Sequence, residues 1–286
     1  MSPANLLIRF IFILLLSAFV VGCSPLSILN ATVSSDGYKS TLNLPYGEKP
    51  RQYLDVHIPN NVVDKADVVI FYYGGRWQYG SKEQYAFVAD AMTSKGIITV
   101  LPDYRLYPDV DWRDFIQDGA RAYEWVVKNI TKYNGNPKRV FVMGHSAGAH
   151  ISSMVALDES LLANDMRRPC GFVGLAGPYD FLPIRDADVI RVFSSAIDIQ
   201  KTQPIYFVDG GDPAMLLLHG SDDDSVKVGN TTRVVRRVNN VEGLVDSKIY
   251  KEIDHIDILI SLSSTFRHVS PVLSDSIEFI KKTNCQ

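Results

Sequence analysis

The stretch MGHSAGAH, residues Met143 to His150, directly follows the apolar run Val140–Val142. A serine between two glycines, after a buried strand and before a helical pattern, is typical of a sharp strand-to-helix turn that exposes the serine oxygen at the edge of a sheet. Glycines flank such a turn because a Cβ there would collide with neighbouring backbone. A glycine-rich turn whose serine only caps a helix would have the same residues, so the rest of the chain has to decide.

Around this stretch, segments with strand character alternate with helical patterns. Several strands, such as Val68–Tyr73, are continuously apolar, as expected for strands that are covered on both faces. The alternation predicts an α/β fold with a mostly parallel central sheet and helices on both faces. The predicted strands are Tyr38–Leu44, Gln52–Ile58, Val68–Tyr73, Ile97–Leu101, Arg139–Met143, Gly171–Leu175, Met215–Leu218 and Ser247–Ile253; the predicted helices are Lys82–Met92, Asp111–Tyr133, Ala147–Leu157 and Ile277–Lys282.

Composition and charge restrict the class of protein. The 286 residues are 46% hydrophobic and 21% charged, which is ordinary globular composition, and the formal net charge is −3. No basic stripe is present, so nucleic acid is not expected as a partner. We expect one α/β domain over residues 38–286, with a small lid-like insertion around residues 177–213.

The N-terminal residues indicate export. An apolar run from Phe10 to Val21 follows Arg9, and we predict a signal peptide over residues 1–22 and a tether over residues 23–37. The ending Val-Val-Gly-Cys resembles a bacterial lipobox, so Cys23 is the predicted lipidation site and the chain is expected to reach the membrane through this anchor. Ser24, rather than Asp, favours the outer membrane, on the periplasmic side, if the source is a Gram-negative bacterium.

Two alternatives remain open at this stage. A plain secretory signal with an incidental cysteine would also fit the N-terminus. In an oxidising compartment Cys170 and Cys285 could form a disulfide, but two cysteines so far apart in the sequence fit two free thiols equally well.

A serine nucleophile requires a base, and the base requires an acid that orients it. In this type of fold the acid and then the histidine follow later strands. Three aspartates follow the strand Met215–Leu218, and we choose Asp223, with Asp222 and Asp224 as alternatives. His255 follows the last predicted strand and is the predicted base.

The other five histidines are less suitable. Four of them lie within strands or directly beside the serine, and only His268, near the closing helix, is a serious alternative to His255. A reaction at a carbonyl also needs donors for the developing oxyanion. The amide of Ala147 lies at a helix start, and Gly74 and Gly75 follow a buried strand, so their N–H groups are the predicted oxyanion hole.

These motifs together resemble the α/β-hydrolase superfamily, and within it the esterase/lipase group that includes carboxylesterases and hormone-sensitive-lipase-like enzymes. The resemblance covers the chain from about Tyr38 and is carried by the segments Tyr73–Trp77, Asp103–Leu106, Gly144–Gly148, His219–Asp223 and Asp254–His255. It implies Ser146 as nucleophile, Asp223 as acid, His255 as base, and Gly74, Gly75 and Ala147 as oxyanion-hole amides. It also implies that the Asp103 segment braces the oxyanion loop.

One departure from the family pattern concerns the oxyanion loop. The common His-Gly-Gly-Gly reads Tyr73-Gly74-Gly75-Arg76 here. The backbone donors survive this change, while the side chain that usually orients the loop is replaced.

The resemblance implies a serine hydrolase that cleaves small-molecule carboxylic esters through an acyl-enzyme. Because the sequence shows no long lid, we expect substrates of short to medium acyl chain. No metal site and no cofactor are expected, since neither a zinc motif nor a nucleotide-binding glycine motif is present. An arylformamidase or a lactonase with the same triad, or a non-catalytic binding protein on the same scaffold, is the alternative.

Overall fold

The computed structural model describes Leu26, Leu29, Asn30, Val33 and residues 35–62 and 65–285. The predicted signal peptide, Cys23 and most of the predicted tether lie outside the described residues. Among the described residues, no helix is both long enough and apolar enough to cross a membrane. Leu29 is buried and the Asn30 side chain donates to the Glu83 carbonyl over 2.7 Å, so these two residues pack against the domain.

A central sheet of eight strands has the order β1-β2-β4-β3-β5-β6-β7-β8. The strands β1 and β2 run antiparallel to their neighbours, and β4, β3, β5, β6, β7 and β8 are mutually parallel. This architecture confirms the predicted fold class. The bounds are β1 Tyr38–Pro45, β2 Tyr53–Pro59, β3 Ala66–Tyr72, β4 Ile98–Pro102, β5 Gly135–His145, β6 Gly171–Leu175, β7 Ala214–Gly220 and β8 Val245–Tyr250.

Helices and short 3₁₀ turns cover the sheet. The α-helices of the described residues are α1 Ala86–Thr93, α2 Trp112–Asn129, α3 Ala147–Leu157, α4 Ala187–Val192, α5 Gly229–Asn240, α6 Asp257–Ile260 and α7 Val272–Lys282. The 3₁₀ turns are Ser35–Gly37, Lys82–Tyr85, Ile130–Tyr133, Glu159–Leu161, Ile199–Thr202 and Pro204–Phe207.

Three sequence predictions about helices need correction. The predicted helix Lys82–Met92 is a 3₁₀ turn followed by α1, and its first turn is tied to the sheet because the Lys82 amide donates to Asp103 over 2.9 Å. The predicted helix Asp111–Tyr133 ends as α at Asn129 and continues as a 3₁₀ turn. The closing helix begins at Val272, five residues earlier than predicted.

Helix α5 was not predicted, because its sequence GNTTRVVRRVNN is rich in residues with low helix propensity. Val234 and Val238, four residues apart on one face, are both buried, and this packing stabilises the helix where propensity does not.

A disulfide joins Cys170, just before β6, to Cys285, after α7. This settles the alternative between a disulfide and free thiols. Arg139 on β5 reinforces the same junction, since its guanidinium donates to the carbonyls of Ile280 and Thr283 over 2.8 and 3.0 Å. The C-terminal helix is therefore fixed to the sheet at its end by a covalent and a polar link.

The parallel strands bring the candidate residues to one edge of the sheet. Ser146 follows β5, Asp223 follows β7 and His255 follows β8, each at the carboxyl end of its strand. Ligands of open parallel sheets bind outside this edge. The segment Gly177–Pro213, which follows β6 at the same edge, contains α4 and two 3₁₀ turns.

Candidate active site

Ser146 lies on a strained turn between β5 and α3. Its φ of 55° lies in the left-handed region, which a residue other than glycine adopts only under constraint. A Cβ on Gly144 would lie 2.3 Å from the Gly148 carbonyl oxygen, and one on Gly148 would lie 1.9 Å from the Tyr72 carbonyl oxygen. Both glycines are therefore required by close backbone approach, which explains the Gly-x-Ser-x-Gly spacing.

The three side chains predicted as nucleophile, base and acid lie within hydrogen-bonding distance of one another. The Ser146 hydroxyl lies 2.9 Å from Nε2 of His255, and Nδ1 of His255 lies 2.7 Å from Oδ2 of Asp223. The carboxylate can only accept, so Nδ1 carries the proton and Nε2 is free to accept from the serine. This arrangement makes the serine a candidate nucleophile, with an imidazole base and an orienting acid.

The structure also separates Asp223 from its sequence alternatives. Asp223 is buried, whereas Asp222 and Asp224 are exposed and bond to Ser221 and to Lys227. His268, the alternative base, is exposed in the loop before α7 and forms no hydrogen bond with the described residues. Of the residues considered from the sequence, His255 therefore contacts Ser146, and Asp223 contacts His255.

The loops that carry the acid and the base are bonded to each other. The Asp222 amide donates to the Ile253 carbonyl over 3.0 Å, and the Ser221 amide donates to Tyr250 over 2.8 Å. A Cβ on Gly220 would lie 2.0 Å from the Ile253 oxygen, so the glycine permits this approach. The two loops therefore hold each other in place, and the distance between Asp223 and His255 depends on both.

Hydrogen bonds keep Asp223 ionised in spite of its burial. Burial alone would raise the pKa of this carboxyl, but hydrogen bonds from His219, from His255 and from the Val226 amide hold the pKa well below its ordinary value. Asp223 is therefore ionised and provides the negative charge beside Nδ1 of His255.

The candidate oxyanion loop follows β3. Gly75 has a φ of 131°, and a Cβ there would lie 2.2 Å from the Tyr79 carbonyl oxygen. A Cβ on Gly74 would lie 3.1 Å from Cβ of Ser146, so this backbone passes directly beside the serine. Ala147 is the first residue of α3, where N–H groups have no acceptor within the helix. Gly74, Gly75 and Ala147 line one pocket together with Ser146.

Tyr73, which departs from the family pattern, connects this loop to the Asp103 segment. Its hydroxyl donates to Oδ1 of Asp103 over 2.8 Å and accepts from Arg51 over 2.8 Å. The Tyr104 hydroxyl donates to the Tyr73 carbonyl over 2.7 Å, and the two rings stack with centroids 4.5 Å apart. The bracing expected of the Asp103 segment is therefore present, and the tyrosine hydroxyl carries it.

Two buried histidines beside the serine have contacts that the sequence did not reveal. His145 donates from Nε2 to the His255 carbonyl over 2.8 Å, and burial together with the neighbouring His255 lowers the pKa of His145 to about 3. It therefore stays neutral while it holds the backbone of the candidate base.

His150 links the oxyanion loop to the insertion. Its Nδ1 accepts from the Trp77 indole over 3.3 Å, and its Nε2 donates to the Thr202 carbonyl over 2.8 Å. Burial lowers the pKa of His150 to about 4, so this link is also neutral. Phe193 of the insertion packs edge-on against Trp77 with centroids 4.9 Å apart, which fixes the same loop from the other side.

A pocket of about 1110 Å³ opens above Ser146 and His255. Part of its wall is polar, with Asp180, Lys227 and Arg233. The insertion supplies most of an apolar wall, and Val192 and Phe193 of the insertion are buried rather than part of this wall. The apolar wall is formed by Trp77, Phe181, Leu182, Pro183, Ile184, Val189, Ile256 and Leu259.

The chain is similar to a known protein family and to several solved structures. The BD-FAE family model matches residues 54–188, just under half of the chain. The structure resembles the solved structure entitled "Truncated form of carbohydrate esterase from gut microbiota", with a TM-score of 0.75 and 20% identity over 87% of this chain and 98% of that one. It also resembles the propionate-bound esterase Est2 of Thermogutta terrifontis, with a TM-score of 0.71 and 17% identity over 88% of this chain and 96% of that one.

The chain matches only part of the length of its curated relatives. The chain is 26% identical over 242 residues to the probable isoprenylcysteine alpha-carbonyl methylesterase ICMEL1 of Oryza sativa subsp. japonica, covering 75% of this chain and 56% of the relative. It is 30% identical over 219 residues to esterase LipC of Mycobacterium tuberculosis, covering 68% and 54%. It is 30% identical over 146 residues to kynurenine formamidase of Salmo salar, covering 51% and 48%.

The chain thus spans about half of the length of these relatives. The solved structures show that the chain has the α/β-hydrolase fold, and the curated relatives show that it is similar to esterases and to a kynurenine formamidase.

The brace at Tyr73 predicts a stability effect. Tyr73→Phe removes a buried hydroxyl together with its hydrogen bonds to Asp103 and from Arg51, so we expect the free energy of unfolding to fall by about 1–3 kcal/mol in urea titrations. Tyr79→Phe is the control, because the Tyr79 side chain is 65% exposed, and it should change the free energy by less than about 0.5 kcal/mol. Equal stability of the two variants would show that the Tyr73 hydroxyl does not brace the loop.

Proposed function

We propose that this chain hydrolyses carboxylic esters through an acyl-enzyme on Ser146, with His255 as general base and acid and Asp223 as its orienting carboxylate. The observation that carries the proposal is the continuous hydrogen-bond chain from Ser146 through His255 to Asp223 at the floor of an open pocket. The named esterases among the relatives support the same chemistry.

The reaction proceeds in two steps. Ser146 Oγ attacks the acyl carbonyl while its proton moves to Nε2 of His255, and the imidazolium then gives that proton to the departing alcohol. A water molecule next attacks the acyl-enzyme, with His255 again taking a proton and returning it to Ser146. Asp223 holds Nδ1–H throughout and stabilises the transient positive charge on the ring.

The negative charge of each tetrahedral intermediate requires donors that are already in place. The N–H groups of Gly74 or Gly75 and of Ala147 supply them in this proposal. One such donor stabilises the transition state by roughly 2.7–4 kcal/mol. Because Ala147 begins α3, the helix dipole adds to this stabilisation.

Short to medium acyl chains are the proposed substrates. The insertion contributes only α4, of six residues, and two 3₁₀ turns, so it offers no long lid to enclose an extended chain. The solved esterase Est2 of Thermogutta terrifontis, which is similar in fold, is described with propionate bound.

Amide hydrolysis is the second candidate. The match to kynurenine formamidase over 146 residues favours it, because the same nucleophile, base and oxyanion donors serve the attack on a formamide. The two candidates differ in the leaving group that His255 must protonate, and they are separated by substrate choice.

A panel of p-nitrophenyl esters of graded acyl length, together with N-formylkynurenine, tests the proposal. We expect the highest kcat/KM on acetate to butyrate esters and a loss of about a million-fold in kcat for Ser146→Ala. Ser153→Ala is the matched control, since the hydroxyl of this buried serine of α3 donates to the His150 carbonyl within the same helix. Faster cleavage of N-formylkynurenine would favour the formamidase, and equal rates for Ser146→Ala and the wild type would refute the mechanism.

We also propose that the chain is exported and anchored through a lipid on Cys23. The apolar run before Cys23 and the disulfide between Cys170 and Cys285, a bond typical of oxidising compartments, support this proposal. Which membrane receives the anchor follows from the source organism.

The anchor is tested by fractionation of cells that express the full chain. Cys23→Ala should move the protein from the membrane fraction to the soluble fraction without loss of ester hydrolysis, because the candidate triad lies in the folded domain. Ser27→Ala, which keeps the cysteine, should remain in the membrane fraction. Membrane association of Cys23→Ala equal to that of the control would contradict a lipid anchor.

A further inference from the structure

His219, the residue before the last of β7, lies directly against the carboxylate of the candidate acid. Its side chain is fully buried. Its Nε2 lies 3.2 Å from Oδ2 of Asp223 and 2.7 Å from the Val226 carbonyl oxygen, and its Nδ1 lies 2.7 Å from Oγ1 of Thr231. In the sequence His219 belongs to the motif His219–Asp223, which assigned no role to its side chain.

The neighbours of His219 fix the position of its proton. Both atoms near Nε2, a carboxylate oxygen and a carbonyl oxygen, can only accept, so Nε2 carries a hydrogen that the two acceptors share. The Thr231 hydroxyl then donates to Nδ1. A buried ring with all of its polar atoms partnered is rigid, and its N–H is aimed at Asp223 before any substrate binds.

The two oxygens of Asp223 are held by different groups. Oδ1 accepts from the amides of Ser225 and Val226 over 2.9 and 2.8 Å. Oδ2 accepts from His255 over 2.7 Å, and His219 supplies the second donor to this oxygen. Val226 takes part twice, since its N–H binds Oδ1 while its carbonyl receives the proton of His219.

We propose that His219 is a positioning residue for the reaction: its Nε2–H holds Oδ2 of Asp223 in the orientation that receives Nδ1–H of His255. The inference rests on the proposed function, because it concerns the same triad. Without His219, Oδ2 would keep His255 as its one donor, and the orientation of the carboxylate would depend on the two amides at Oδ1. The imidazole of His255 would then lose the fixed direction in which it meets Ser146.

A positioning role has an electrostatic consequence that a purely structural role lacks. With one donor fewer, the Asp223 carboxylate becomes a stronger acceptor and favours the protonated form of His255. The acid side of the pH–rate profile therefore moves to higher pH when the His219 donor is removed. Among the described residues, His145 on β5 also faces this pair and stays neutral, Asp180, Lys227 and Arg233 line the same pocket as His255, and Asp222 and Asp224 on the acid loop are exposed.

The test compares His219→Phe with His219→Gln in the full chain. For His219→Phe we expect kcat on p-nitrophenyl acetate, per active site titrated with a fluorophosphonate, to fall by about 10- to 100-fold, with KM within about twofold and the acid limb shifted to higher pH. His219→Gln keeps an N–H donor of similar reach, so it should recover most of kcat and the wild-type pH profile. Because kcat is expressed per titrated site, molecules that fail to fold do not lower its value.

His57→Phe is the matched control, because His57 is also a buried histidine and bonds to Ser40 on β1, away from the site. It should lower the melting temperature and leave kcat per site and the pH profile unchanged. Unchanged kcat and pH profile in His219→Phe, or equal losses in His219→Phe and His219→Gln, would overturn the inference and leave the proposed function intact. A wild-type protein that neither cleaves any ester nor reacts with the fluorophosphonate would overturn both.

Discussion

The close approach of Gly148 to the end of β3 is the constraint on which the candidate site depends. Because Gly148 has no Cβ, α3 can begin directly against the Tyr72 carbonyl at the end of β3. The chain must then turn sharply at Ser146 to pass from β5 into α3. The turn is closed by a hydrogen bond from the Ser146 amide to the Leu175 carbonyl of β6 over 3.0 Å. The position of the nucleophile is therefore set by backbone packing on two neighbouring strands.

Around this fixed serine, neutral polar groups orient the rest of the machinery. His145 holds the backbone of His255, and His150 holds the oxyanion loop through Trp77. Burial keeps the pKa of both rings far below the neutral range, so neither adds a positive charge beside His255. The charge that changes during the proposed reaction is thus confined to the serine, the base and the oxyanion.

The features that could be predicted from the sequence are those that short stretches of residues encode. Apolar runs located the parallel strands, and the glycine spacing located the turn at Ser146. Three adjacent aspartates carry the same local signal, so only burial in the fold separates Asp223 from Asp222 and Asp224. The supporting role of His150 could not be predicted, because its partner Thr202 lies 52 residues away in an insertion without a family motif. Strand order likewise depends on packing between distant segments.

The most direct measurement of the central claim is the site of covalent labelling. A fluorophosphonate reacts with a serine that an imidazole activates, and mass spectrometry of the digested protein locates the adduct. The account predicts one adduct per folded chain, on Ser146, and none when the protein is unfolded before labelling. An unlabelled folded protein, or an adduct confined to another residue, would contradict the claim that this serine is an activated nucleophile.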